Sequence, residues 1–194
     1  MKILVACERS GIVREAFRAR GHEAWSCDLE PSDTSRPFCH VRRDALEVIH
    51  DMGPWDLLIA HPPCTYLCNS GVRWLKDDPV RWGQLNAAAT FFRRLIECDI
   101  PKICIENPIP HKYAVERIGK KYDQLIQPWQ FGHGETKATC LWLNSLPELQ
   151  PTKIVEGREG RIWKMPPGPH RAYERSKTYS GIANAMAAQW GGGS

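Results

Sequence analysis

Short apolar runs that stop at polar turns alternate with helically spaced apolar positions along much of this chain. Lys2-Ile3-Leu4-Val5-Ala6-Cys7 reads as a strand closed by Glu8-Arg9-Ser10-Gly11, and the spacing of Val13, Ala16 and Phe17 predicts a helix running to Gly21. Glu23 to Cys27 reads as a second strand ending at Asp28, and Trp55 to Ala60 as a third ending in His61-Pro62-Pro63-Cys64. From Pro79 to Cys98 the positions of Trp82, Leu85, Ala89, Phe92, Leu95 and Ile96 suit an amphipathic helix, opened by Asp78-Pro79 in the favoured cap-and-first-turn order. Lys102 to Ile105 is a further strand, ending in Glu106-Asn107-Pro108. Beyond Tyr113 the order loosens, though Ala138 to Leu143 still reads as a strand and Ile182 to Trp190 as a terminal helix. Short buried strands alternating with helices predict an α/β domain with a mostly parallel, doubly wound sheet, whose ligands bind beyond the carboxyl ends of the strands.

With 194 residues, 42% of them hydrophobic and 25% charged, the chain suits one globular domain, here residues 1–190, followed by a flexible Gly191-Gly192-Gly193-Ser194 tail. The opening apolar stretch is too short for a secretory h-region or a membrane span, so a cytoplasmic protein is expected. Eight cysteines contain no C-x-x-C pair, which argues against a zinc knuckle or a thioredoxin-type site; most are expected to be buried reduced thiols, and no metal is expected. The net charge of +4 permits a polyanionic partner. Its distribution says more: Lys153, Arg158, Arg161, Lys164, Arg171, Arg175 and Lys177 crowd a segment that also holds Trp163, Tyr173 and Met165-Pro166-Pro167-Gly168-Pro169. Such a stretch is either a solvated loop or a nucleic-acid contact, with cations on phosphates and rings stacked on bases.

Three strand ends present polar or reactive groups on one edge of the sheet: Asp28, the Pro62-Pro63-Cys64 turn and Glu106-Asn107-Pro108. Singly each is ordinary, a buried thiol or a solvated carboxylate. Together they place a thiol and a carboxyl group where an α/β sheet holds its substrate.

Pro-Pro-Cys after one strand and Glu-Asn-Pro after a later one resemble the paired catalytic signatures of the cytosine-C5 DNA methyltransferases, and the small methylase-like proteins of phages and prophages in particular. The resemblance implies a Rossmann-like methyltransferase fold with a short irregular C-terminal insertion. It assigns Cys64 as the nucleophile that adds to C6 of cytosine and Glu106 as the group that binds the Watson-Crick edge and favours protonation at N3. Pro63 and Asn107 fall beside the substrate. Pro108 stands where the family more usually has Val.

The same resemblance places S-adenosylmethionine at the first strand and its loop, with Cys7, Ser10, Gly11 and Pro62 around it, although the loop lacks the family's full Gly-rich pattern and its aromatic residue. Asp28 takes the place of the acid that holds the ribose hydroxyls, and Asp44 that of the acid reading the adenine amino group; either could instead be a surface carboxylate. Asn184, in Gly181-Ile182-Ala183-Asn184, resembles the Asn of the last motif, which closes over the methionine end of the donor. Lys137 and Thr139 stand where the family carries the arginines of Gln-x-Arg-x-Arg, and neither side chain can form an arginine fork. Only about Leu146 to Tyr179 is left for target recognition, with Arg158, Arg161, Lys164 and Arg171 as its DNA contacts, so high sequence specificity is not expected unless a partner or a second copy supplies it. The irregular cofactor loop leaves a second donor open, a methylene tetrahydrofolate giving 5-hydroxymethylcytosine. The missing arginines leave open a non-catalytic DNA-binding descendant.

Overall fold

Leu57–Ala60 is buried on every residue, as a strand covered on both faces must be. This strand, β4, lies at the centre of a seven-stranded sheet in a computed structural model that describes residues 1–34, 37–168 and 171–192. The strands are β1 (Lys2–Ala6), β2 (Glu23–Asp28), β3 (His40–Arg42), β4, β5 (Lys102–Pro108), β6 (Gln124–Ile126) and β7 (Thr139–Asn144), in the order β3-β2-β1-β4-β5-β7-β6. β1 pairs in parallel with β2 and β4, β2 with β3, and β4 with β5. β7 runs antiparallel to both β5 and β6. Chain order reverses between β1 and β4, which opens a crevice at their carboxyl ends.

Helices cover both faces, so the predicted doubly wound α/β architecture is the one observed. On one side α2 (Ala45–Asp51), α3 (Pro79–Ile96) and α4 (Lys112–Ile118) bury Val48, Leu85, Phe92 and Ala114 against Leu58, Ile105 and Trp142. The Trp142 ring meets Phe92 edge-on at 4.8 Å, and its indole N–H donates to the Lys120 carbonyl, so its one polar atom is satisfied inside the core. On the other side α1 (Ile12–Arg18) and α7 (Ser180–Trp190) pack Val13, Phe17, Ile182, Met186 and Trp190 against Ile3, Val5 and Ile59. α3 starts as its sequence predicts, with the Asp78 carboxylate accepting the Arg81 N–H at 3.0 Å and Pro79 in the first turn.

Several boundaries differ from the sequence reading. β5 continues through Glu106-Asn107-Pro108 because β7 pairs with it along that stretch. The strands β3 and β6 and the helices α2 and α4 fall in segments whose pattern predicted no element. α5 (Arg161–Lys164) and α6 (Arg171–Ser176) break the basic segment into short helical turns. Gly191, assigned by sequence to a flexible tail, is buried and caps α7; Gly193 and Ser194 of that tail, and Pro169 of the Pro-rich stretch, lie outside the described residues. Among the described residues no helix is long and apolar enough to cross a membrane, and no three His, Cys, Asp or Glu side chains cluster as a metal site would require.

Candidate active site

A cleft of about 1110 Å³ lies at the carboxyl ends of β1, β2, β4 and β5. It gathers most of the residues singled out from sequence: Cys7, Ser10, Asp28, Pro62, Pro63, Cys64, Glu106, Asn107, Lys137, Thr139 and Arg171. Two adjacent strand ends form its floor. After β4 the prolines fix φ and remove two backbone donors, and the Cys64 carbonyl accepts the N–H groups of Leu67 and Cys68, each at 3.0 Å, so the chain turns sharply and presents the thiol. Near the end of β5 the Asn107 amide donates to the Pro62 carbonyl at 2.8 Å, tying the two strand ends together.

Cys64 shares its thiol with Cys68. Their mutual hydrogen bond and burial raise Cys64 above the ordinary thiol range, whereas Cys68 is lowered because it accepts from Cys64 and interacts with the Ser70 hydroxyl at 3.0 Å. Cys68 lines the cleft beside Cys64.

Glu106 is 8% exposed and its Oε2 meets His61 Nδ1 at 3.1 Å and accepts from the Thr178 hydroxyl at 3.1 Å. Burial by itself would raise the carboxyl group, but the charge and hydrogen bond of His61, then Lys137 and Thr178, outweigh it and bring Glu106 down to about 2. For His61 burial favours the neutral ring; attraction to Glu106, with Glu8 adding to it, wins, and the imidazole is raised above its usual range. Lys137 is lowered by burial and held up by Glu106 and Cys64; its ammonium donates to the Lys177 carbonyl at 2.9 Å. Of the three buried side-chain atoms without a hydrogen-bond partner among the described residues, two, His61 Nε2 and Asn107 Oδ1, belong to walls of this cleft. Buried polar atoms are rarely left so, and both belong to residues that line the cleft.

The side of the cleft where the sequence places a donor is built on the β1–α1 loop. Gly11 has φ 69°, and a Cβ there would come within 2.7 Å of the Arg14 and Thr34 side chains, which explains the glycine. Glu8, 4% exposed, accepts the Val13 and Arg14 N–H groups at 2.7 and 3.2 Å and so caps α1 with a carboxylate. Arg14, wholly buried, holds the loop by donating to Ser26 and Thr34 hydroxyls at 2.8 and 2.6 Å. Asp28 Oδ1 accepts the Glu30 N–H at 2.9 Å and the side chain lines the cleft. Of the residues expected at the donor, Gly11, Asp44 and Asn184 are not among those that line the cleft. Asp44 accepts the Leu46 N–H at 2.8 Å as the cap of α2 and borders a separate hollow, and Asn184 is exposed on α7 away from the cleft lining.

The basic segment roofs the opening, but unevenly. Arg171, Arg175 and Lys177 line the cleft. Arg158 instead stacks on Trp129 at 3.9 Å, Arg161 pairs with Glu135 at 2.9 Å, and Lys164 sits beside Trp163 outside the lining. Tyr173 fastens the roof to the donor side: its ring lies 4.5 Å from the Arg9 guanidinium and its hydroxyl donates to Asp33. Trp74 and Trp163, 56% and 63% exposed, stand at the mouth. Sequence reasoning passed over Glu8, His61, Thr178 and Trp74. For the first two the available signal was an ionisable residue directly after a buried strand.

No family model matches the chain, and no curated protein matches it in sequence. Solved structures do. A protein described as a DNA modification methyltransferase, encoded within an E. coli prophage, superposes with a TM-score of 0.50 at 14% identity, over 79% of this chain and 51% of that one. The methyltransferase EhMeth of Entamoeba histolytica gives a TM-score of 0.48 at 15% identity, over 79% of this chain and 57% of that one. This chain thus spans little more than half the length of either neighbour. At such identity the likeness is one of fold, and the fold is the mixed α/β sheet on which the prophage-encoded protein is built.

Proposed function

We propose that the protein transfers a one-carbon group to C5 of cytosine in DNA, with S-adenosylmethionine as the donor. One observation carries the reading: Cys64, in the turn after β4, and Glu106, near the end of the neighbouring parallel strand β5, line a single cleft, and Asn107 ties the two segments together. The likeness in fold to a protein described as a DNA modification methyltransferase points the same way.

Carbon 5 of cytosine is a poor nucleophile. Addition of the Cys64 thiolate at C6 forms a carbon–sulfur bond and turns the ring into an enamine that is reactive at C5. Glu106, on the Watson-Crick edge, stabilises the ring as N3 gains a proton, and the Lys137 charge favours the ionised forms of both Cys64 and Glu106. Once C5 is alkylated, loss of its proton lets the C6–sulfur bond break and returns the thiolate. To reach Cys64 the base must leave the stack, and Arg171, Arg175 and Lys177 are the cations placed to hold its phosphates. Asp28 would hold the donor's ribose hydroxyls, with Cys7, Ser10 and Pro62 around it; the bound donor supplies an electrophilic methyl group. The β1–α1 loop, with no Gly-rich turn, keeps a methylene tetrahydrofolate as the second donor, and calorimetric titration of each separates them.

The test is covalent capture on DNA carrying 5-fluorocytosine, in which the fluorine at C5 blocks elimination. The expected result is a denaturation-resistant complex that forms with donor and is lost in Cys64→Ser. Binding of DNA and donor without capture would identify a DNA-binding protein that has lost the chemistry.

A further inference from the structure

We infer that His61 is a positioning residue behind Glu106 that stores the proton delivered to the substrate base. The inference rests on the reading of Glu106 given above and adds a residue to it. Protonation at N3 requires an acid, yet His61, Lys137 and Thr178 favour the carboxylate form of Glu106, which calls for a second group to hold the proton. His61 is where it resides: Nδ1 lies 3.1 Å from Glu106 Oε2, with side-chain exposures of 12% and 9%. The charged groups facing the ring are Glu106 from β5, Glu8 from the β1–α1 loop and Lys137 from the segment before β7, two acids against one base. The ring's other nitrogen, Nε2, has no protein partner, so no second acceptor fixes the imidazole in its charged form.

The balance closes. Before addition the group consists of the Cys64 thiolate, whose proton has passed to Cys68, the His61 imidazolium, the Glu106 carboxylate and a neutral cytosine. As sulfur bonds to C6, the electron pair displaced into the ring takes the His61 proton at N3 by way of the Glu106 carboxyl group. This leaves neutral His61 with its hydrogen on Nε2, and Glu106 again a carboxylate. When the C6–sulfur bond breaks, the N3 proton returns by the same path. The total charge is unchanged at each stage.

Addition at C6 also makes the C5 hydrogen exchangeable with solvent, which can be measured without any methyl donor. We choose His61→Asn as the test because the Asn amide nitrogen takes the place of Nδ1 and can donate to Glu106, but holds no titratable proton. His61→Ala removes the hydrogen bond as well. In the wild-type protein the exchange rate should rise with pH as the thiol pair ionises and fall again as His61 loses its proton. His61→Asn should bind DNA as the wild type does, exchange about 10²-fold or more slowly, and lack the falling limb. Restoration of the rate by Asn but not Ala would reduce His61 to a hydrogen-bonding prop and overturn the proton store. Exchange by His61→Asn with the wild-type rate and profile would overturn it too. Wild-type protein that binds DNA but exchanges nothing overturns the assignment of Cys64 and Glu106, and the store along with it; that outcome differs from the others in requiring no variant.

Discussion

Replacing Glu106 by Gln keeps the shape of the side chain and removes its charge, leaving His61 buried against a neutral amide. A carboxyl group that ionises at about 2 when folded and at 4.5 when free contributes on the order of 3 kcal/mol to stability while it is charged. That agrees with the roughly 3 to 5 kcal/mol lost when one member of a buried pair is deleted. The sign follows from the two directions of shift. Because the folded Glu106 value is depressed, its contribution is complete above 4.5 and lost as pH falls toward about 2. Because the His61 value is raised, its share is complete below 6.5 and lost as pH rises through the higher folded midpoint. The stability gap between wild type and Glu106→Gln, read from urea unfolding midpoints at unchanged m-value, should therefore be widest between 4.5 and 6.5 and narrow on both sides. A gap that is flat from about pH 3 to pH 9, or below about 1 kcal/mol throughout, would refute the buried ion pair.

Cys64→Ser and Cys64→Ala should fold normally and abolish C5 exchange, since a hydroxyl is a far weaker nucleophile than a thiolate. Cys68→Ala should retain exchange and move the alkylation midpoint of Cys64 downward toward 9, because Cys68 is the first cause holding it up; an unchanged midpoint would show that the thiols do not share a proton. Asp28→Ala should weaken donor binding by about 1.5 to 3 kcal/mol in calorimetry and leave DNA affinity alone; equal losses of both would point to a disturbed β2 end. Neutralising Arg171 and Arg175 together should flatten the slope of log affinity against log salt by about 0.9 per phosphate contact, and Arg158→Ala, whose guanidinium is committed to Trp129, should not; equal effects would remove the distinction between roof and rim.

The parts of this fold legible in the sequence were those in which local pattern and burial agree. β1, β4 and β5 are apolar runs that end in turn residues, and α3 carries both its cap and its stripe. β3 and β6, three residues each, owe their form to pairing with longer neighbours, and no three-residue pattern announces that. The extension of β5 through Glu106-Asn107-Pro108 has the same origin, since β7, arriving from far along the chain, supplies its partner. In the site, the thiol and the carboxyl group were visible because each sits in a compact motif. His61 adjoins one of those motifs but takes its meaning from a contact across to β5. Asp44 and Asn184 show the converse: chain order suggested a place beside the donor, while Asp44 caps α2 and Asn184 is exposed on α7, neither of them lining the cleft.

The carboxylate of Glu8 has a consequence for what the cleft can accept. In many sheets of this architecture the first helix begins with bare N–H groups that receive the pyrophosphate of a dinucleotide. Here Val13 and Arg14 have already given theirs to an acid of the chain itself. A phosphate entering at α1 would find those donors taken. One side chain therefore occupies the first turn of the first helix, and a ligand in this cleft must be held by other groups.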